Sequence, residues 1–259
     1  MEYARFLAMS VLLIIAVLAT AYLMINIVQR YAATPTPTPK PCSLAAIEEV
    51  YLAKIRGGSE ISDAVQQAIA QFGSAQDSDA LVFKSQLNEN ERENVITPAE
   101  HAQLLNAIAA YRFVRDNITY SAGVVGIERA QDDITTLKSR QGKCDEKSLL
   151  LISMFRVLNI SSGMEALSTH GALSVDACAS EGICTCLVQA DHVVVTAKLP
   201  AFAKLRTFSS LPHYTGTGFC TKGGYIVLDP TCSDCPFAFG RNCTVSITIL
   251  NSTANQTAG

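Results

Sequence analysis

The hydrophobic pattern begins with a long apolar stretch at the amino terminus. No charged residue occurs from Phe6 to Val28, and a helix rising about 1.5 Å per residue is long enough there to cross a hydrocarbon core of about 30 Å. We predict a single-pass signal anchor over residues 1–30. A cleavable signal peptide is the alternative, but the run exceeds a usual apolar core of about 7–15 residues, and the sequence at 30–33 is a poor cleavage site.

A Thr/Pro-rich segment follows over residues 31–42. Its prolines alternate with threonines, which fixes φ at every second residue and removes backbone donors, so neither a helix nor a sheet can form. The pattern predicts a semi-rigid stalk that holds the following domain away from the bilayer.

Helical periodicity dominates the first half of the remaining chain. Apolar residues at helical spacing predict helices over 43–55 and 62–72, and the polar, acidic segment 73–95 reads as a loop. The sequence Thr-Pro-Ala-Glu at 97–100 is typical of a helix start. The run 144–158 is apolar almost all round, which predicts a buried central helix.

Strand patterns dominate the second half. The segments 163–169, 192–199, 224–229 and 244–250 are β-branched or alternating and are bounded by turn-forming residues. Helices followed by strands indicate an α+β domain, with a helical half packed on an antiparallel sheet, over residues 43–250. We expect residues 251–259 to form a disordered polar tail.

Charge and composition narrow the possible partners and compartment. The net charge is −3, and the absence of a basic stripe argues against a nucleic-acid partner. The charges flanking the anchor nearly balance, so they do not set its orientation. Nine cysteines favour an oxidising compartment. Five glycosylation sequons agree with an extracytoplasmic domain, at Asn117, Asn159, Asn242, Asn251 and Asn255.

Three residues in the second half have the properties of a thiol active site. Cys144 opens the apolar helix after Gln141-Gly142-Lys143, where the helix terminus stabilises a thiolate. His192 begins a strand and could act as the base, and Asp229 ends the next long strand, where it could orient the imidazole. Singly, each has an ordinary structural explanation: a core cysteine, a satisfied core histidine and a turn residue before proline.

Together, the motifs Gly142-Lys143-Cys144, Asp191-His192-Val193 and Leu228-Asp229-Pro230-Thr231 resemble the transglutaminase-like superfamily. The likeness extends to the helix and Gly-Cys turn from Asp133, and to Phe155–Ile160, where Asn159 replaces a glycine. It implies a papain-like fold, with Cys144, His192 and Asp229 as a catalytic triad for acyl transfer. The single transmembrane helix predicted from the apolar run would precede this domain.

The chain also departs from this family. Members often carry an aromatic residue two positions after the histidine, whereas this chain has Val194 there and no tryptophan. A cysteine-rich insertion over 178–186 comes just before His192. The insertion could shape or cover a cleft.

The other eight cysteines can pair completely, and several pairings stay open: Cys42, Cys178, Cys184, Cys186, Cys220, Cys232, Cys235 and Cys243. Disulfides are the favoured interpretation outside the cytoplasm. A zinc site built from Cys184, Cys186, Cys232 and Cys235 is the alternative.

We therefore expect a cysteine peptidase, amidase or transglutaminase-like enzyme that needs no cofactor. Its partners would be the lipid bilayer, through residues 6–28, and a protein or peptide substrate near the outer membrane surface. Two alternatives are a non-catalytic envelope interaction or scaffold domain of the same fold, and a disulfide-rich adhesin or receptor ectodomain.

Overall fold

The structure is a computed structural model that describes Tyr22 and residues 44–121, 130–167, 174–176, 187–189, 192–205, 221–222, 225–231 and 246–252. Tyr22 apart, these residues belong to a unit formed by 41–178 and 185–259. Apart from Tyr22, the predicted anchor lies outside the described residues, and so does the stalk. No helix among the described residues combines the length and apolar character that a membrane crossing requires.

Six α-helices and a short 3-10 helix, Pro200–Lys204, occur in residues 44–252 as far as the structure describes them. The α-helices are numbered in chain order. They are α1 (Leu44–Ala53), α2 (Ser59–Ser74), α3 (Ser78–Arg92), α4 (Pro98–Asn117), α5 (Asp133–Ser139) and α6 (Cys144–Val157). The predicted start of α4 is confirmed in detail: the Thr97 hydroxyl accepts from the Glu100 N–H at 3.2 Å, and the Glu100 carboxylate accepts from the Thr97 N–H at 2.9 Å. Pro98 occupies the first turn.

The predicted loop over 73–95 is wrong, because most of it forms α3. Asp77 caps this helix by accepting a hydrogen bond from the Ala80 N–H at 3.0 Å. Four residues at helical spacing are buried: Ala80, Phe83, Leu87 and Asn90. Between them lie polar residues, so the narrow apolar stripe is easily missed in the sequence.

The main sheet has five strands, each antiparallel to its neighbours. They are β3 (Ser162–Leu167), β6 (His192–Lys198), β7 (Thr221–Lys222), β8 (Tyr225–Leu228) and β9 (Ser246–Ser252), in the order β7-β8-β6-β3-β9. β9 therefore continues two residues beyond the predicted domain end at 250. Two short pairs complete the strands: β1 (Thr119–Tyr120) with β2 (Gln141–Gly142) in parallel, and β4 (Ser174–Asp176) with β5 (Leu187–Gln189) antiparallel.

Helix α6 lies between the helices and the sheet. It packs against β6 and β3 on the sheet and against α2, α4 and α5 in the helical half. Every residue from Cys144 to Phe155 is buried, as expected for a helix with neighbours on all sides. The described residues thus form the predicted α+β arrangement, a helical half packed on an antiparallel sheet.

A turn after α6 explains one difference from the family pattern. Asn159 stands where the family pattern has glycine, and it adopts a φ of 55°. Asparagine is one of the few residues that enter the left-handed region at low cost. The substitution therefore preserves the turn that leads the chain from α6 into β3.

Candidate active site

The site is built on the turn between β2 and α6. β2 is paired with β1 in the register Thr119↔Gln141 and Tyr120↔Gly142. Glu146 then ties down the start of α6: its carboxylate accepts from the Lys143 N–H at 2.8 Å and from the Gln131 N–H at 3.0 Å. Cys144 is the first residue of the helix, so its N–H has no acceptor within the helix and the helix dipole favours negative charge on its side chain.

Gly142 is required in this turn for steric reasons. A Cβ atom at this position would lie 2.9 Å from the Thr136 Cγ2 atom and 3.3 Å from both the Glu146 Cβ and the Lys147 Cγ atoms. The first contact is shorter than packed carbon atoms tolerate, and the other two require their neighbours to move by a few tenths of an ångström. The close approach that the Gly-x-Cys motif predicted is thus present between β2, α5 and α6.

His192 and Asp229 come together because β6 and β8 are adjacent antiparallel strands. The first residue of β6 and the residue after β8 lie at the same end of the sheet. The His192 Nε2 atom is 2.8 Å from the Asp229 Oδ2 atom. This contact occupies Nε2 and leaves Nδ1 as the other ring nitrogen, and the Cys144 side chain is close enough to contribute to the raised pKa of the imidazole.

Hydrogen bonds fix both the carboxylate and the backbone carbonyl of Asp229. Its Oδ1 atom accepts from the Thr231 hydroxyl at 2.6 Å and from the Thr231 N–H at 3.0 Å, and its backbone carbonyl accepts from the buried Tyr111 hydroxyl at 2.9 Å. The carboxylate is therefore oriented by the turn that follows it, an arrangement typical of aspartate before proline.

The electrostatics of this cluster favour a charged imidazole. Burial opposes the charge on His192, but hydrogen bonds to Asp229 and Cys144, together with their negative charges, raise the His192 pKa from 6.5 to about 10. Burial likewise opposes charge on Asp229, yet the hydrogen bond and charge of His192 outweigh it and lower the Asp229 pKa. The His192 side chain keeps 27% of its surface exposed, so the cluster is open to solvent at the imidazole.

Two further titratable groups lie beside Cys144. Burial raises the pKa of Asp145, and the nearby charge of Glu146 adds to the effect. The Asp145 Oδ2 atom accepts a hydrogen bond from the Tyr51 hydroxyl at 3.3 Å. Lys147 is buried one turn along α6, and burial lowers its pKa to about 8 although the charge of Asp229 opposes this.

Other candidates from the sequence do not join this cluster. His101 pairs with Glu91 away from the site and is only partly exposed. Val194 is buried against Val227, so it contributes no surface to the site. His170 and His213 lie outside the described residues, as do the eight cysteines predicted to form disulfides or zinc ligands. Within the described part of the chain, no group of three or more side chains could hold a metal ion.

Three residues around the cluster escaped the sequence analysis: Tyr111, Tyr120 and Lys147. Thr231 was part of the motif Leu228-Asp229-Pro230-Thr231, but its hydrogen bonds to Asp229 were not predicted. The other three reach the site through tertiary contacts between distant segments. The hydroxyl of Tyr111, for example, is 118 residues from the carbonyl that accepts its hydrogen bond.

The chain is similar to a known protein family and, more distantly, to a solved structure. A family model described as "Transglutaminase-like superfamily" matches residues 91–230, which is more than half of the chain. This range contains Cys144, His192 and Asp229. A crystal structure of a proposed protease from Parabacteroides distasonis aligns with 14% identity and a TM-score of 0.28, over 52% of this chain and 24% of that one. No curated protein matches the sequence.

Proposed function

Because the chain belongs to the transglutaminase-like superfamily, we propose that it catalyses thiol-dependent acyl transfer on protein or peptide carboxamides. Cys144 is the nucleophile, His192 the general acid and base, and Asp229 the group that orients the imidazole. The observation that carries this proposal is the contact of the His192 Nε2 atom with the Asp229 Oδ2 atom at 2.8 Å, in a ring whose pKa the Cys144 side chain also raises.

The first half of the reaction forms a thioester. The Cys144 thiolate attacks the carboxamide carbon, the C=O electron pair moves to the oxygen, and the Cys144 N–H at the start of α6 donates to that oxyanion. The His192 imidazolium then gives its proton to the leaving nitrogen as the C–N bond breaks. Asp229 keeps the ring oriented and stabilises its charge throughout.

The second half regenerates the thiol. Neutral His192 takes a proton from water or from an amine, which attacks the thioester carbon, and the C–S bond breaks to restore the thiolate and the imidazolium. Water makes the enzyme a peptidase or amidase, and a lysine amine makes it a cross-linking enzyme. We further propose that residues 6–28 anchor the chain with the domain outside the cytoplasm, so the substrates are proteins or peptides near the membrane surface.

An activated ester tests this chemistry without knowledge of the natural substrate. The full-length chain should release one equivalent of p-nitrophenolate rapidly from p-nitrophenyl acetate and carry the acetyl group on Cys144 in peptide mass spectra. Cys144→Ser and His192→Ala should both abolish the burst. A wild-type chain without a burst, or with the acetyl group on another residue, would refute the proposal.

The acceptor can be identified in the same reaction. If added cadaverine accelerates loss of the acetyl-thioester and acetylcadaverine accumulates, the enzyme transfers acyl groups to amines. If cadaverine has no effect, water is the acceptor and the enzyme is a hydrolase. A chain with an intact cluster but no acylation would favour the non-catalytic scaffold domain, the alternative that the absence of an aromatic residue at Val194 supports.

A further inference from the structure

Helix α4 makes long-range hydrogen bonds to both sides of the proposed site. Cys144 lies at the start of α6 and Asp229 follows β8, so the nucleophile and the orienting carboxylate belong to separate elements. Apolar packing holds such elements together without fixing a direction, whereas hydrogen bonds require defined distances and angles. Bonds from a common helix can therefore fix the two residues relative to each other.

Tyr111 makes the bond on the aspartate side. Its hydroxyl donates to the Asp229 backbone carbonyl at 2.9 Å, and the Tyr111 side chain is fully buried. Because the acceptor is a backbone atom, this bond fixes the position of the turn that carries Asp229. The two bonds from Thr231 act on the carboxylate instead. Tyr111 thus holds the turn, and Thr231 orients the side chain within it.

Lys147 makes the bonds on the nucleophile side. Its ammonium donates to the Ile118 carbonyl at 2.7 Å and to the Arg115 carbonyl at 3.3 Å. The last carbonyls of a helix lack partners within it, and the helix dipole favours a cation there. Lys147 is only 2% exposed, which is rare for a lysine unless its charge is paired. Because Lys147 follows Cys144 by about one turn of α6, its ammonium fixes the start of α6 to the end of α4.

The two sets of bonds meet within one turn of α4. Tyr111 and Arg115 are four residues apart, which places them about 6 Å apart along the helix axis. α4 also packs directly against α6. We call Lys147, Tyr111 and the turn of α4 over 111–115 the α4 bridge. The bridge joins the nucleophile helix to the turn that carries Asp229 through hydrogen bonds that all end on backbone carbonyls.

We propose that Lys147 and Tyr111 are positioning residues, which through the α4 bridge set the distance between the thiolate and the imidazolium of the site. This inference rests on the proposed function and deepens it, because it says what holds that ion pair together. Lys147 fixes the helix that begins with Cys144. Tyr111 fixes Asp229, whose carboxylate contacts His192. The attraction between two charges weakens with distance, so loss of either bond should weaken the pair and raise the pKa of the Cys144 thiol.

The pH profile of Cys144 alkylation measures this effect. The full-length wild type, Tyr111→Phe, Lys147→Met and the double variant are treated with iodoacetamide from about pH 4 to 10, a range that spans lowered and free-thiol pKa values. Well below the wild-type midpoint, each single variant should react about 10-fold more slowly, the effect of a rise of one unit in the thiol pKa. At about pH 9.5, where the thiol is ionised in every variant, the rates should agree within about threefold.

The double variant separates one shared bridge from two independent effects. If either substitution already breaks the bridge, the double variant should be at most about twofold slower than the slower single variant. Independent effects would multiply to about 100-fold, and that result would overturn the inference. The direct loss of charge in Lys147→Met belongs to this second case, because it would persist after Tyr111→Phe. Variants that lose stability without any change in the alkylation profile would also overturn it.

Tyr225→Phe and Lys138→Met are the matched controls. Tyr225 begins β8, at the end of the strand away from Asp229. The Lys138 side chain is 64% exposed and pairs with Glu60 at 3.2 Å. Each control makes the same chemical change as a test variant outside the α4 bridge, so neither should alter the profile.

Tyr111→Phe decides the question alone if Lys147→Met does not fold. It removes one oxygen atom and keeps the buried ring, and an unchanged profile in this variant would overturn the inference. Failure of the proposed function has a different signature, because Cys144 of the wild type would then show no reaction below the free-thiol range of about 8.5.

Discussion

His192 is the residue whose contacts most directly support the proposed chemistry. Its ring contacts Asp229 through Nε2, and Cys144 contributes to the raised pKa of the ring. Three of the chain's four histidines lacked a strand-end position in the sequence, and that criterion selected His192. The direction of its pKa shift could not be predicted, because it depends on the balance between burial and two negative neighbours.

Asp229→Asn should lower the pKa of His192 from about 10 toward its ordinary value of 6.5. Asparagine keeps the hydrogen-bonding shape but removes the negative charge that favours the imidazolium, so the ring loses its proton at lower pH. Ring ¹⁵N shifts of the full-length chain, labelled at histidine and titrated from about pH 5 to 11, give this pKa directly. A wild-type His192 that titrates near 6.5 would contradict the structure.

Gly142→Ala should destabilise the chain by about 1–3 kcal/mol, the usual cost of overpacking. The added methyl group would lie 2.9 Å from the Thr136 Cγ2 atom, so either the Thr136 side chain or the nucleophile turn must shift. Gly73→Ala is the control, since nothing lies within 4 Å of a Cβ there and alanine suits an α-helix. In urea denaturation, the free energy of unfolding of Gly142→Ala should be lower than that of wild type. That of Gly73→Ala should equal or exceed the wild-type value.

At the scale of elements, the strongly periodic segments were predictable and the weakly periodic ones were not. The helix predicted over 144–158 appears as Cys144–Val157, and the strand over 192–199 as His192–Lys198. Helix α3 was missed because only four of its residues face the interior. The parallel β1–β2 pair is two residues long on each side, too short for any sequence pattern to mark it.

The turn after α1 is docked onto α5 by one buried carboxylate. Asp133 accepts hydrogen bonds from the Arg56 N–H at 3.1 Å, the Gly57 N–H at 2.9 Å and the Ser153 hydroxyl at 2.5 Å. The turn after α1, α5 and α6 are thus joined at a single side chain that is fully buried. Such a hub links the segment nearest the predicted stalk to the nucleophile helix.

Asp133→Asn should therefore cost about 2–4 kcal/mol of unfolding free energy. One carboxylate oxygen becomes an amide N–H₂ that faces donors, which leaves buried N–H or O–H groups without an acceptor. Amide hydrogen exchange should also quicken at Arg56 and Gly57. Asp63→Asn, on the exposed face of α2, should stay within about 0.5 kcal/mol of wild type. Equal stability of the two variants would show that the hub contributes little.

At the scale of the whole molecule, the proposed site and the proposed anchor are separate claims. The site depends on described residues from α4 to the turn that follows β8, whereas the anchor is a prediction from the uncharged run 6–28. The order of the motifs along the chain allowed the family to be predicted from sequence. The contacts between Cys144, His192 and Asp229 could not be predicted from the sequence, because these residues lie up to 85 positions apart along the chain and meet only in the tertiary structure.

Membrane attachment can be tested in the full-length chain expressed in cells. We expect it to stay in the membrane pellet after alkaline carbonate extraction. The double substitution Ile14→Arg, Ile15→Arg should release it, because each arginine at the centre of a span costs about 2.5–3.5 kcal/mol on the insertion scale. A wild-type chain that carbonate extracts would exclude the anchor and leave the account of the active site intact.

The central claim is that Cys144 is a thiolate activated by His192, and its alkylation tests this most directly. The full-length chain, unreduced, is treated with iodoacetamide from roughly pH 5 to 9, and modified cysteines are mapped by mass spectrometry in wild type and His192→Ala. The account predicts that Cys144 alone reacts, at pH values well below the free-thiol pKa of about 8.5, and that His192→Ala removes this low-pH reaction. An inert or disulfide-bonded Cys144, or one that reacts equally well without His192, would contradict it.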